Sequence, residues 1–247
     1  MCGSRRACVR LARICRYGRR DRIVRAADGR DAGVGVSIRA GLGLRIAFAA
    51  VCALAFASCS HRPPSPKQAQ ARYEAWRAQG DRAARIDAYR TALQAQGVGD
   101  VAPMWAMLRT ARSWRDCGGH EYSIPPDALW AQIAPTLRVV ERLRQMGAID
   151  PQQVRSGYRD PALNACAGGA KGSKHLQNVA LDFDLPDRPD NIETLCGFWR
   201  EHGQALNMGL GFYTPTAIHI DTAGYRTWGT DHTRKTSLCL SDAEKKD

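Results

Sequence analysis

The chain has 247 residues, 44% hydrophobic and 24% charged, with 23 Gly and 12 Pro, a composition that excludes collagen-like, disordered and polytopic membrane classes. Its formal charge of +12 would ordinarily point to a nucleic-acid partner. That charge is concentrated in residues 1–58, which hold 12 Arg and no Lys against 3 Asp; the remainder is close to balanced, so no nucleic-acid binding is expected.

Residues 46–57 form an apolar run, IAFAAVCALAFA, preceded by Arg39 and Arg45. As a helix it rises only about 18 Å, short of the roughly 30 Å bilayer core, so it reads as a signal h-region. The junction Phe56-Ala57-Ser58-Cys59 resembles a bacterial lipoprotein processing site. The resemblance implies lipidation of Cys59 and attachment to a membrane surface without a spanning helix. The Arg-rich stretch before the h-region is longer than a signal peptide needs, and translation is expected to start later than Met1, at Val34 or Val36. Residues 59–68 follow as a Pro-rich tether.

Residues 69–97 space Tyr73, Trp76, Ile86, Tyr89 and Leu93 for one or two amphipathic helices around Gly80; the helical segment is expected to extend to residue 115. A further helix is predicted over 126–147, with Leu129, Ile133, Leu137, Val140 and Leu143 on one stripe and Gly147 at its end. The period then changes to two. Val179, Leu181, Phe183 and Leu185 alternate with Ala180, Asp182 and Asp184, and Ile218, Ile220 and Thr222 with Ala217, His219 and Asp221, predicting two strands whose second faces carry carboxylates and an imidazole. Residues 191–206 read as a helix between them. This order predicts an α+β fold with a small antiparallel sheet and flanking helices.

Four cysteines follow Cys59: Cys117, Cys166, Cys196 and Cys239. An exported, oxidising compartment and an even count favour two disulfides among three connectivities over four buried free thiols; Cys117 with Cys166 and Cys196 with Cys239 are taken as the pairs. The absence of a CxxC pair argues against a thiolate zinc site.

His175, Asp182 and His219 are the residue types that a zinc ion with one open position uses. Around them, SGYRDPALNACAGGAKGSKHLQNVALDF and GLGFYTPTAIHIDTAGYRTWG resemble the M15 family of D-Ala-D-Ala carboxypeptidases and murein endopeptidases over roughly residues 126–230. The family motif SxHxxGxAxD falls on Ser173, His175, Asn178, Ala180 and Asp182, its SGYR on residues 156–159, and its second histidine motif on His219, Ile220 and Asp221. The resemblance implies that residues 116–240 form a zinc peptidase domain, followed by a polar tail at 241–247. It implies one Zn2+ held by His175, Asp182 and His219, and substrate held by Arg159 and Ser173; a guanidinium fork suits a carboxylate.

Two positions depart from the family. Asn178 replaces a glycine, which Asn tolerates where φ is positive. Thr216 stands where many members carry an acidic base. Asp221 is then either the general base or the carboxylate that orients His219. His202 and His232 are further candidates for proton transfer, and Tyr213 and Trp228 for lining the cleft. The expected protein is an exported, lipid-anchored, monomeric zinc peptidase acting on peptidoglycan peptides, at the periplasmic face of the outer membrane in a Gram-negative host. The alternative is a non-catalytic, zinc-stabilised wall-binding lipoprotein.

Overall fold

A computed structural model of the chain describes residues 65–245. The leader, the h-region and Cys59 lie outside the described residues. Helix α1 (Pro66–Arg77) starts earlier than expected: Ser65 caps it, its side chain accepting from the Gln68 backbone while the Gln68 side chain reaches back. Pro66 at the first helical position has no N–H to lose there, so the segment read as tether to residue 68 already contains the first turn of a helix. Gly80, at φ +61°, turns the chain into α2 (Arg82–Gln94), and a short α3 (Met104–Met107) follows.

The helix expected over 126–147 is split. Residues Asp127–Ile133 form a 3-10 helix and only Ala134–Gln145 is α-helical (α4). Pro135 lies at the change of type; it has no N–H for an i→i−4 bond and its ring crowds the preceding turn. From α4, Leu137, Val139, Val140 and Leu143 are fully buried. Next come β1 (Val154–Ser156), α5 (Pro161–Cys166), β2 (Ala180–Asp184), α6 (Asn191–His202), β3 (Gly209–Thr214), β4 (Ala217–Asp221) and β5 (Arg226–Trp228).

The five strands form one sheet in the order β1-β2-β4-β3-β5. All neighbours are antiparallel except β3 and β5, which are parallel. The fold is α+β, as expected, with β1, β3 and β5 added to the two strands read from alternation. Those three escape detection because two of them are only three residues long and β3 opens Gly-Leu-Gly, which has no polar face to alternate.

Register explains how one face is apolar and the other chemical. Leu181 pairs with Ile220 and Ile220 with Leu210; Phe183 pairs with Ile218 and Ile218 with Phe212. These six side chains, all nearly inaccessible, share one core with the α4 stripe and with Leu195, Phe198 and Trp199 of α6. Tyr73, Ile86, Tyr89 and Leu93 of α1 and α2 belong to the same core, so the N-terminal helices are part of one packed body with the sheet. Disulfides join Cys117 to Cys166 and Cys196 to Cys239, the pairs taken from the sequence. Among the described residues no helix is long and apolar enough to cross a membrane.

Candidate metal centre

The face opposite the core carries the site. Ser156 pairs with Asp182, Asp182 with His219, and His219 with Gly211, which pairs in turn with Trp228. One row across five strands therefore presents Ser156, Asp182, His219 and Trp228 side by side. His175 joins from outside the sheet. It lies in a 3-10 turn (Lys174–Gln177) that ends at Asn178 in the left-handed conformation, φ +53°; that reversal sends the chain from His175 directly into β2.

His175, Asp182 and His219 are 1%, 5% and 5% exposed, and one ligand atom from each lies within 4.8 Å of the others. Asp182 Oδ1 is 3.1 Å from His175 Nε2 and 2.9 Å from His219 Nδ1. The far nitrogens are both committed. His175 Nδ1 donates to the Gly157 carbonyl at 2.7 Å, which leaves the Nε2 lone pair toward Asp182. His219 Nε2 donates to Asp221 Oδ2 at 2.8 Å, which leaves Nδ1 facing the same point. Ligands of a tetrahedral zinc with bonds of about 2.0–2.1 Å sit about 3.3 Å apart. With their inner nitrogens unprotonated, two imidazoles and a carboxylate, oriented by partners on their outer sides, fit a zinc ion in donor type and spacing.

Electrostatics agrees. Burial opposes ionisation of Asp182, but His175 and His219 outweigh it and hold the carboxyl far below the usual carboxylate range. Burial pushes His175 down, with Asp182 only partly offsetting it. Burial also opposes a charged His219, yet hydrogen bonds to Asp182 and Asp221 raise its pKa. Asp182 is thus held as a carboxylate between the two imidazoles.

Arg159 donates from Nη2 to Asp182 Oδ2 at 2.8 Å and from Nε to Ser156 Oγ at 2.8 Å. Its backbone N–H bonds the His175 carbonyl, while the neighbouring Asp160 caps α5. Tyr213 donates its hydroxyl to Asp182 Oδ1 at 3.2 Å, and burial, with the Asp182 charge, pushes its pKa up. Trp228 lies 5.6 Å from the His219 ring and His232 packs on Trp228 and Tyr213 at 5.0 and 5.9 Å, centroid to centroid. Ser173 stands half-buried at the N-cap of the His175 turn. His202 packs on Phe198 of its own helix, and Thr216 lies exposed in the β3–β4 turn beside Thr214.

Asp221 is 0% exposed. Besides His219, its oxygens accept from the Ala223 N–H at 2.8 Å and from both terminal nitrogens of Arg226 at 3.0 and 2.5 Å. Burial opposes its ionisation, but the bonds from His219 and Arg226 bring its pKa down to about 2. Ser156 and Arg226 are site residues that sequence reading missed. Ser156 was legible only as the first letter of SGYR, and Arg226 acquires its place through β5, too short to be seen.

With this geometry in place, the comparison with known families is specific. Residues 106–221 match the family model described as Peptidase M15. The chain is similar to peptidases of that family over a span that begins inside α3 and takes in β1, β2, β3 and β4 with all three candidate ligands. The match thus starts within the segment read as separate N-terminal helices. No curated protein and no solved structure matches the chain.

Proposed function

We propose that this chain is a zinc-dependent peptidase of the M15 type and cleaves peptide bonds in peptidoglycan stem peptides or crosslinks. The observation that carries the reading is the convergence of the His175, Asp182 and His219 lone pairs on one point, each imidazole held by an acceptor on its far side. When bound, zinc supplies Lewis acidity toward a scissile carbonyl and activates water for attack. Tyr213 stays a neutral donor because its pKa is raised; its hydroxyl bonds Asp182 and would have to leave that carboxylate to bond a developing oxyanion.

Arg159 spends its Nε and Nη2 on Ser156 and Asp182; its remaining terminal nitrogen, together with Ser173, is assigned to a substrate carboxylate. More positive charge lies one residue pair along β2: Arg155 bonds Asp184 at 2.9 Å, and Arg109 and Arg112 act on the same two groups. Three guanidiniums against one carboxylate suit a peptide bearing several carboxylates, as stem peptides do. Asp221, sealed and turned to the outer nitrogen of His219, is assigned to orienting that ring. The role of proton acceptor is then assigned to His232, which is exposed and packs on Tyr213 and Trp228.

A second reading is a non-catalytic, zinc-stabilised wall-binding protein. It is favoured by the same seclusion of Asp221 and by a threonine at position 216, which leave the open face without a carboxylate base from either position. Digestion of purified peptidoglycan, with muropeptides resolved by mass, separates the two. The enzyme removes crosslinked dimers or terminal D-Ala, and EDTA or His219→Ala abolishes the change. Folded, zinc-loaded protein that leaves every muropeptide intact means a binding protein. Export and anchoring through Cys59, with the outer membrane as the Gram-negative destination, are part of the proposal: labelling with an alkyne fatty acid is expected, and is lost in Cys59→Ser.

A further inference from the structure

Two glycines in β3 occupy positions where a side chain cannot fit. A Cβ at Gly209 would lie 2.5 Å from Asp221 Oδ2 and 2.6 Å from Arg226 Nη1; one at Gly211 would lie 2.0 Å from the Trp228 indole. The reason is register. Gly209 sits between Asp221 of β4 and Arg226 of β5, and Gly211 between His219 and Trp228. Leu210, between the two glycines, points to the core. Gly-x-Gly on β3 therefore forms two slots through which Arg-x-Trp on the edge strand reaches His-x-Asp on β4.

The guanidinium that enters the first slot is 37% exposed at its outer side, while the carboxylate it meets is sealed. Its two terminal nitrogens take one oxygen of Asp221 each. With the Ala223 N–H on Oδ1 and His219 Nε2 on Oδ2, the carboxylate has a partner for every direction and a single orientation. An Asp without this brace could rotate and release the His219 N–H, and the ring could then present either nitrogen to the metal point.

We propose that Arg226, acting through the slot at Gly209, is a positioning residue: it locks Asp221 so that His219 keeps its proton on Nε2 and offers Nδ1 to the metal. The inference rests on the reading of His175, Asp182 and His219 as zinc ligands. It predicts that the chain's metal affinity depends on a residue two strands away from the nearest ligand strand position it serves.

The test uses the whole protein, stripped of metal, with zinc affinity measured by competition against a chromophoric chelator and the His219 tautomer read by nitrogen NMR at a pH where the ring is neutral. Arg226→Met is expected to weaken zinc binding about 10- to 100-fold and to mix the His219 tautomers. Gly209→Ala, which leaves both charges in the chain but fills the slot, is expected to do the same. Arg226→Lys, a point charge that cannot serve both oxygens, falls between. If Arg226→Met does not fold, as judged by circular dichroism, Arg226→Lys and Gly209→Ala carry the comparison. A folded Arg226 or Gly209 variant with native zinc affinity and a single Nε2-protonated His219 overturns the proposal, since a brace serving stability alone would lower the melting temperature and leave the tautomer unchanged. A native protein that binds no zinc overturns the metal reading instead, and the tautomer in the metal-free protein still decides the brace.

Discussion

Asn178 shows how one side chain can hold a site from behind. Its φ of +53° ends the His175 turn, and its Nδ2 donates to the Leu129 carbonyl at 2.9 Å and to the Tyr89 hydroxyl at 3.2 Å. Sequence reading anticipates the left-handed backbone and misses the two bonds, because both partners come from distant helices. Asn178→Gly keeps the conformation and loses the bonds, an expected cost of about 2 kcal/mol in urea denaturation. Asn178→Ala loses the bonds and adds left-handed strain, about 1 kcal/mol more; equal stability of the two variants would contradict the strain argument. His232 offers a functional counterpart. As the proposed proton acceptor, His232→Gln is expected to cut kcat on muropeptides about 100-fold with unchanged zinc content; unchanged kcat would remove it from the mechanism.

Among the elements, β5 is, with β1, one of the two shortest strands, yet it brings both Arg226 and Trp228 to the site. It is held by more than its parallel ladder with β3. Thr227 bonds Ser237 at 2.7 Å, the Ser237 hydroxyl accepts from the Cys239 N–H, and Cys239 is joined to Cys196 of α6 across 43 residues. Arg200 of α6 adds a bond to the Cys239 carbonyl at 3.1 Å. The disulfide thus anchors the tail that backs β5. In the chain-entropy account a loop of that size contributes about 4 kcal/mol. The paired variant Cys196→Ala with Cys239→Ala is expected to lose about that much in denaturant and, if β5 loosens, to share the weakened zinc affinity of the Arg226 variants.

At the scale of the whole molecule, the N-terminal helices are fastened to the rest of the body by buried tyrosines. The Tyr122 hydroxyl donates to the Ala69 carbonyl at 2.7 Å, Tyr73 packs edge-on to Tyr122 at 5.6 Å, and Tyr89 meets Asn178. Burial pushes Tyr73, Tyr89 and Tyr122 from 10.0 to about 12. A phenol whose pKa is raised by folding holds its proton more tightly in the native state. Its contribution is therefore complete below pH 10 and is lost as pH rises toward 12. The metal-free protein is expected to unfold in that window, with tyrosinate absorbance and loss of circular dichroism rising together; three tyrosines ionising near 10 in folded protein would refute the packing.

Much of this arrangement was legible from order and period alone. The alternation in 179–185 and 217–222 identifies two strands with one chemical face each, because a period of two needs no partner to be seen. Resemblance to the M15 motifs brings His175, Asp182 and His219 together as a candidate set, and an even count of cysteines after Cys59 frames the two disulfides. What the linear chain does not contain is register. Asp182 lies opposite His219 only through β2–β4 pairing, Arg226 reaches Asp221 only because Gly209 leaves a slot between them, and Arg159 is tied to Asp182 only once β1 is laid beside β2. The sequence by itself determined which side chains face away from the core, a local property of each strand; the tertiary structure alone decided which of them meet, because hydrogen-bond registry between strands far apart in the chain sets distances that no local pattern encodes.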